Sequence, residues 1–145
     1  MTRFEAWSLH VSNVLVGGTG LVYAWMKYLV RPDDPYAVVN HPLQPEVQHL
    51  HVLFAPLLVF AGGMIFRRYV WARVRSGYRP RRPTGLLLAL QLVPMVASGY
   101  LLQTTTDEAW NAIWVWVHVA ASSLWILSYG VHLVSARPAA VEPQT

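Results

Sequence analysis

Residues 109–136 read AWNAIWVWVHVAASSLWILSYGVHLVSA, an uncharged stretch that carries two histidines. It is longer than the roughly 20 residues that an α-helix needs to cross the hydrocarbon of a bilayer. His118 and His132 are fourteen residues apart, which is about 21 Å of helix and nearly four whole turns. Both imidazoles are therefore expected on one face of a spanning helix, one toward each side of the membrane. Such groups are rare inside a membrane and indicate a functional site.

Three further uncharged runs precede this stretch, and each is long enough for a spanning helix. The chain of 145 residues is 54% hydrophobic and 12% charged, against about 25% charged in soluble domains. The sequence therefore predicts an all-α protein, a transmembrane four-helix bundle that forms a single integral membrane domain over residues 1–145. The spans are expected at about residues 6–30, 47–68, 84–104 and 109–135, with a flexible tail at 136–145.

Cysteine is absent from the sequence, which excludes disulfides, iron–sulfur ligation, thiolate zinc sites and covalent c-type haem attachment within this chain. A metal centre here has to use nitrogen, oxygen or thioether ligands. The net charge of +4 comes from one arginine-rich connection and does not indicate nucleic-acid binding.

The basic residues predict the orientation. Seven arginines lie between residues 67 and 82, whereas Lys27 and Arg31 are the basic residues of the opposite connections. Because basic residues are enriched in cytoplasmic segments, both termini and the middle connection are expected in the cytoplasm. The segment 31–45 and the turn at 107–108 are then expected to face outward.

In this orientation the histidines fall at two depths. His10 and His132 lie toward the inside, while His118 and one of His49 and His51 lie toward the outside. A b-type haem needs two neutral imidazoles at one depth, so the layout predicts two bis-histidine haems, one above the other. A single membrane histidine is explained as well by a hydrogen bond to a neighbouring helix, but four at matched depths favour ligation.

His49 and His51 compete for the outer haem, because residues two apart on a helix point in different directions. His51 matches the depth of His118 better and is the preferred ligand. His49 would then contact a propionate, a quinone or a partner protein. His41, in the polar outer segment, is interpreted as a surface or partner-contacting residue.

Three other residues are expected near the haems. Gly17 follows His10 by two turns and Gly62 shares a face with His51, so both would leave room for a porphyrin, although close helix packing explains such glycines equally well. Arg67 would pair with an inner propionate, or simply anchor the helix end at the membrane surface. The expected cofactor-binding residues are thus His10, His49, His51, His118, His132, Gly17, Gly62 and Arg67, with His10, His51, His118 and His132 as iron ligands.

Histidines on the first, second and fourth spans, two of them fourteen apart on the fourth, resemble the bacterial di-haem cytochrome b561 superfamily. The layout is similar to the membrane cytochrome b subunits of formate dehydrogenase and nickel–iron hydrogenase. The resemblance implies that His10 pairs with His132, and His51 (or His49) with His118. It also implies a multi-pass protein of the bacterial inner membrane, two haem b groups, a quinone or quinol, and a periplasmic iron–sulfur or multihaem partner. The chain would be an electron-transfer subunit of a quinone-linked respiratory complex, and the question whether it is itself an enzyme stays open.

Two alternatives remain open from the sequence. A stand-alone membrane oxidoreductase would couple the quinone pool to a small diffusible reductant such as superoxide, although the outer face is not notably basic. A haem-free scaffold or small transporter would show no visible absorbance. A transporter usually carries repeats or paired membrane charges, and neither is evident in the sequence.

Overall fold

The computed structural model describes residues 2–32, 34–76 and 82–135, and all regular secondary structure in these ranges is helical. The backbone forms two compact units, Met1–Tyr69 and Val70–Thr145. The expected flexible tail at 136–145 lies outside the described residues. The helices are α1 Arg3–Tyr28, α2 Gln44–Ile65, α3 Trp71–Arg75, α4 Arg82–Thr104 and α5 Glu108–Val134, with a π-helical segment at Phe66–Val70.

The first unit is an antiparallel hairpin of α1 and α2. Its first helix starts with a capping box, because the Glu5 N–H donates to the Thr2 hydroxyl and the Thr2 N–H donates to the Glu5 carboxylate. This exchange satisfies amide groups that have no partner within the helix. Beyond α1, the Asn40 side chain donates to the Lys27 carbonyl at 2.7 Å and so ties the connecting segment to the end of the helix.

The second helix is longer than the sequence predicts. It starts at Gln44, with Pro45 in its first turn, where a missing N–H costs nothing. Helical backbone continues past residue 68, the expected end of the span, through the π-helical segment and α3 to Arg75. Arginine and alanine favour helix, and neither glycine nor proline interrupts residues 66–75. The arginine-rich connection therefore begins as helix and not as a loop.

The second unit contains the antiparallel pair of α4 and α5. The Asp107 carboxylate caps α5 by accepting the Trp110 N–H at 2.9 Å. The Asn111 side chain donates back to the Leu102 carbonyl at 3.3 Å, which holds the turn between the two helices closed. The buried side chains of this pair include Leu88, Met95 and Trp125.

Within the part of the chain that the structure describes, three helices are long and apolar enough to cross a membrane: Gln44–Arg68, Pro83–Thr104 and Glu108–Val134. At most 17% of the most apolar window of any of them is buried within the protein. Large side chains such as Phe60, Leu90 and Trp116 are instead exposed. Exposed apolar surface on this scale needs an apolar solvent, and the protein is accordingly consistent with a membrane protein. Spanning by α1 and the cytoplasmic orientation of the termini stay predictions.

Candidate functional site

His118 is held against α4 by its Nδ1 atom. This nitrogen lies 3.1 Å from the carbonyl oxygen of Met95 and 3.2 Å from the hydroxyl of Ser98. A carbonyl oxygen only accepts hydrogen bonds, so Nδ1 must carry the proton. The Ser98 hydroxyl donates its own proton to the same Met95 carbonyl at 3.1 Å, so it too accepts from the ring. In the neutral ring Nε2 is then the unprotonated nitrogen, the form that binds a metal, and the Ser122 hydroxyl lies 3.5 Å from it.

His51 is held against α1 in the same way. Its Nδ1 lies 3.0 Å from the carbonyl oxygen of Val16 and 3.2 Å from the hydroxyl of Thr19. That hydroxyl donates to the main-chain carbonyls of Leu15 at 2.6 Å and Val16 at 3.1 Å, which leaves its lone pairs for the ring N–H. The Nε2 atom of His51 is thus also the unprotonated nitrogen.

A glycine lies against each of these two rings. A Cβ atom built on Gly20 would come 2.8 Å from Cε1 of His51, 3.2 Å from Nδ1 and 3.7 Å from Nε2. A Cβ atom on Gly99 would come 3.0, 3.3 and 3.9 Å from the same three atoms of His118. In both cases the edge of the ring between Nδ1 and Cε1 faces the glycine, and Nε2 is the most distant of the three atoms.

His132, fourteen residues after His118 on α5, has similar surroundings. Its Nδ1 lies 2.8 Å from the hydroxyl of Thr84 on α4. A Cβ atom on the adjacent Gly85 would lie 4.0 Å from Cε1 of His132, which is ordinary van der Waals contact. A threonine–glycine pair therefore lies beside this histidine as well, with more clearance around the ring.

His10 is half-buried on α1, edge-on to the Trp7 ring at 6.3 Å between centroids. It borders an open groove of about 190 Å³ whose other lining side chains, Trp7, Val11, Val14 and Leu15, are apolar. The imidazole is thus the polar group at the edge of an apolar groove.

The two remaining histidines have other surroundings. His49 is exposed, while His51, two residues later, faces α1. His41 lies 6.2 Å from the Trp25 ring, and its Nδ1 accepts the Leu43 N–H at 3.1 Å. In the neutral ring this leaves the proton on Nε2, so His41 has the opposite tautomer to His51 and His118. This tautomer has no lone pair on Nε2 for a metal.

The structure also places the other expected residues. A Cβ atom on Gly17 would meet nothing within 4 Å, so this glycine borders open space. Gly62 is half-buried, and its carbonyl accepts the Phe66 N–H where α2 passes into the π-helical segment. Arg67 is exposed. It lines, with Arg68 and the side of α2 formed by Val59, Phe60, Gly63 and Met64, an open groove of about 520 Å³.

Buried or half-buried polar side chains recur every seven residues along α1 and α4, the spacing of a left-handed pair of helices. Gln91 on α4 is 6% exposed and donates to the Ser128 hydroxyl on α5 at 3.1 Å. Its carbonyl oxygen has no hydrogen-bond partner among the described residues. The two series are Glu5, Ser12 and Thr19 on α1, and Thr84, Gln91 and Ser98 on α4.

At the start of α1, Glu5 forms an ion pair with Arg68 at 3.2 Å. The main-chain N–H of Thr2 and the guanidinium of Arg68 hold the pKa of Glu5 below its ordinary value of 4.5. The carboxylate is therefore charged at neutral pH and binds the far end of the second helix of its hairpin.

The chemistry available to these residues is that of nitrogen ligands. In the described ranges, no three His, Asp or Glu side chains come together as a site for a bare metal ion. Separate neutral imidazoles with an unprotonated Nε2 suit instead a metal that already carries other ligands, as haem iron does.

Sequence reasoning missed the groups that hold the rings. The signal was present, because three of the four Ser/Thr–Gly dipeptides in the sequence, at residues 19–20, 84–85 and 98–99, lie within helices. Each lies beside a histidine of the neighbouring helix. The seven-residue spacing of Thr84, Gln91 and Ser98 on the only predicted span without histidine was a second signal.

No protein-family model matches the sequence, and neither the curated proteins nor the solved structures include one with significant similarity to it.

Proposed function

We propose that the chain is a di-haem b-type membrane cytochrome that passes electrons across the bacterial inner membrane. The electrons would move between the quinone pool and a redox partner, with the chain as the membrane subunit of a larger respiratory complex. One observation carries the proposal: His51 and His118, in different helix hairpins, each donate Nδ1–H to a main-chain carbonyl and so keep Nε2 unprotonated.

The residues present fit such a group. A haem iron held by two histidines would need neutral rings whose Nε2 atoms are unprotonated. The described contacts supply this chemistry for His51 and His118, and the hydroxyl of Thr84 lies 2.8 Å from the corresponding nitrogen of His132. The ligand pairs are those that the resemblance implies, namely His10 with His132 and His51 with His118.

Each haem, when bound, would supply a one-electron iron couple. The protein would contribute everything else: the tautomer and rotation of the rings, the spacing of the ligands along α5, and an apolar environment. The spacing of fourteen residues between His118 and His132 corresponds to about 21 Å of helix, which would put these two proposed ligands at different depths of the membrane. Arg67, whose side chain is exposed at the end of an apolar groove, is proposed to pair with a haem propionate.

The proposed partners follow from the surface of the helices and from the charges. Lipid would cover the exposed apolar side chains of α2, α4 and α5. A quinone or quinol would exchange electrons at one face of the membrane, and a periplasmic iron–sulfur or multihaem protein at the other. In this topology α1 is the fourth spanning helix and the arginine-rich connection faces the cytoplasm, as the positive-inside rule requires.

The test is a haem count on purified full-length protein made with ample haem. Wild-type protein should show a reduced b-type spectrum and about two haems per chain by pyridine haemochrome. His118→Ala and His132→Ala should each remove about one haem, and the double variant both. Haem-free wild-type protein of normal helicity would contradict the proposal and favour the scaffold or transporter alternative.

A further inference from the structure

The same arrangement of groups holds a histidine in each of the two hairpins. In α1–α2 it consists of the carbonyl of Val16, the hydroxyl of Thr19 and the bare backbone of Gly20. In α4–α5 it consists of Met95, Ser98 and Gly99, at the same positions relative to one another. The hydroxyl also donates to the carbonyl three residues earlier in both hairpins, at 3.1 Å.

We propose that the pairs Thr19–Gly20 and Ser98–Gly99, together with the hydroxyl of Thr84, are positioning residues for the ligand histidines. We name the first two the Ser/Thr–Gly pairs. The hydroxyl accepts a hydrogen bond from Nδ1–H and fixes the tautomer, and the glycine lets the ring approach the backbone closely enough for that bond to form. The effects on the haems rest on the proposed function. The contacts of the hydroxyls and glycines with the histidine rings do not depend on it.

The two members of a pair have separate roles. A hydroxyl whose proton is already bound to a main-chain carbonyl can only accept from the ring, so it cannot stabilise the wrong tautomer. A Cβ atom in place of glycine would overlap the ring, because a separation of 2.8 or 3.0 Å from Cε1 is too short for two carbon atoms. The ring would have to turn, which breaks the Nδ1 bond and redirects Nε2.

The glycines give a steric test with matched controls on the same helices. Gly20→Ala should reduce the haem content of the full-length protein by about half, while Gly18→Ala should not, because its Cβ atom meets nothing within 4 Å. Gly99→Ala should likewise remove one haem, while Gly85→Ala, with 4.0 Å of clearance, should not. All four changes raise helix propensity alike, so the contrast isolates the contact with the ring. Equal haem content in all four variants of normal helicity would overturn the steric role of Gly20 and Gly99.

The tautomer can be measured without haem. Imidazole ¹⁵N spectra of the full-length chain, labelled at histidine and purified in detergent from cells without added haem, should show His51 and His118 protonated at Nδ1. His41 serves as an internal control, because its Nδ1 accepts a hydrogen bond and its proton should lie on Nε2. If His51 or His118 carries the proton on Nε2, the positioning role is wrong. Wild-type protein that shows the expected tautomers but never binds haem would refute the proposed function and leave the geometry of the pairs intact.

The hydroxyls are tested by the reduction potential. An acceptor on Nδ1 makes the imidazole a stronger donor to iron, so Thr19→Val should shift one of the two haem potentials upward while the Val16 carbonyl still holds the ring. Thr19→Ser, which keeps the hydroxyl, should restore the wild-type value, and the exchange Ser98→Thr against Ser98→Ala should behave in parallel. Equal potentials in Thr19→Val, Thr19→Ser and wild type would exclude a positioning role for the hydroxyl.

Discussion

The hairpins α1–α2 and α4–α5 hold a histidine identically near the end where their helices are connected, and differ at the opposite end. Near the connection, His51 and His118 each have a main-chain carbonyl, a hydroxyl and a glycine beside the ring, in the same arrangement. At the opposite end, α4–α5 has the contact between Thr84 and His132, with 2.8 Å between the hydroxyl and Nδ1. There α1–α2 has instead the ion pair of Glu5 with Arg68.

Under the proposed function, this difference separates the part of each hairpin that would hold a ligand from the part that would not. One geometry repeated on two hairpins of different sequence, around groups that are costly in a membrane, points to a shared chemical requirement. The ion pair serves packing and helix capping, since Glu5 also belongs to the capping box of α1. The first hairpin therefore has its second candidate ligand, His10, on the other helix and beside an apolar groove.

The largest expected effect separates the two histidines of α2. His51→Ala should lower the haem content from about two to about one per chain, because His51 has the same surroundings as His118. The exposed His49 has no such surroundings, so His49→Ala should leave the count unchanged. Haemochrome assays of both variants check this. Loss of haem from His49→Ala but not from His51→Ala would mean that His49 is the ligand and that the two hairpins do not hold equivalent ligands.

The buried amide of Gln91 distinguishes the middle of α4–α5 from the corresponding Ser12 of α1–α2, whose hydroxyl donates to the Leu9 carbonyl at 3.1 Å. Gln91→Leu removes an acceptor without a partner and should be neutral or stabilising by up to about 1 kcal/mol. Gln91→Glu buries an ionisable group and should destabilise by about 2 kcal/mol. Thermal unfolding in detergent measures both, and a strongly destabilised Gln91→Leu would mean that the hydrogen bonds of this amide, such as the one to Ser128, outweigh the cost of burying it.

The second helices of the hairpins also start differently. Asp107 caps α5 through the Trp110 N–H, whereas α2 has no side-chain cap. Asp107→Ala should cost about 1 kcal/mol, and Asp107→Asn, which caps equally well, should cost little. Unfolding curves that rank Asn below Ala would contradict the capping role.

The smallest effect concerns the ion pair of the first hairpin. Because folding lowers the pKa of Glu5, its contribution is complete above the ordinary value of 4.5 and is lost as the pH falls through the lowered pKa. Wild-type protein should therefore unfold at a slightly higher temperature than Glu5→Gln at pH 7, and the gap should shrink below pH 4.5. A gap that is unchanged or wider in acid would show that the charge of Glu5 does not stabilise the hairpin.

The helical architecture could be predicted from the sequence because charge-free runs of apolar residues determine it directly. Three of the four expected spans coincide with helices that are long and apolar enough to cross a membrane. The end of α2 was harder to predict, because arginine marks a membrane boundary without ending a helix. Helical backbone therefore continues to Arg75 through a π-helical segment that no pattern in the sequence predicts.

The histidines could be named from their spacing, but their chemical state could not. Whether Nδ1 or Nε2 carries the proton depends on a carbonyl and a hydroxyl of the neighbouring helix, and these become neighbours only when the helices pack in register. Thr19 and Gly20 are 32 and 31 residues from His51, so no local pattern links them. The preference for His51 over His49, by contrast, could be argued from the depth of each histidine along its predicted span.

The most direct test of the central claim is electron transfer across a sealed membrane. Vesicles containing the purified full-length protein would enclose ferricyanide, and a reductant that does not cross lipid would be added outside. The account predicts rapid reduction of the enclosed ferricyanide by wild-type protein and its loss in His132→Ala. Wild-type vesicles no faster than protein-free ones, although the protein carries its haems, would contradict an electron path across the membrane.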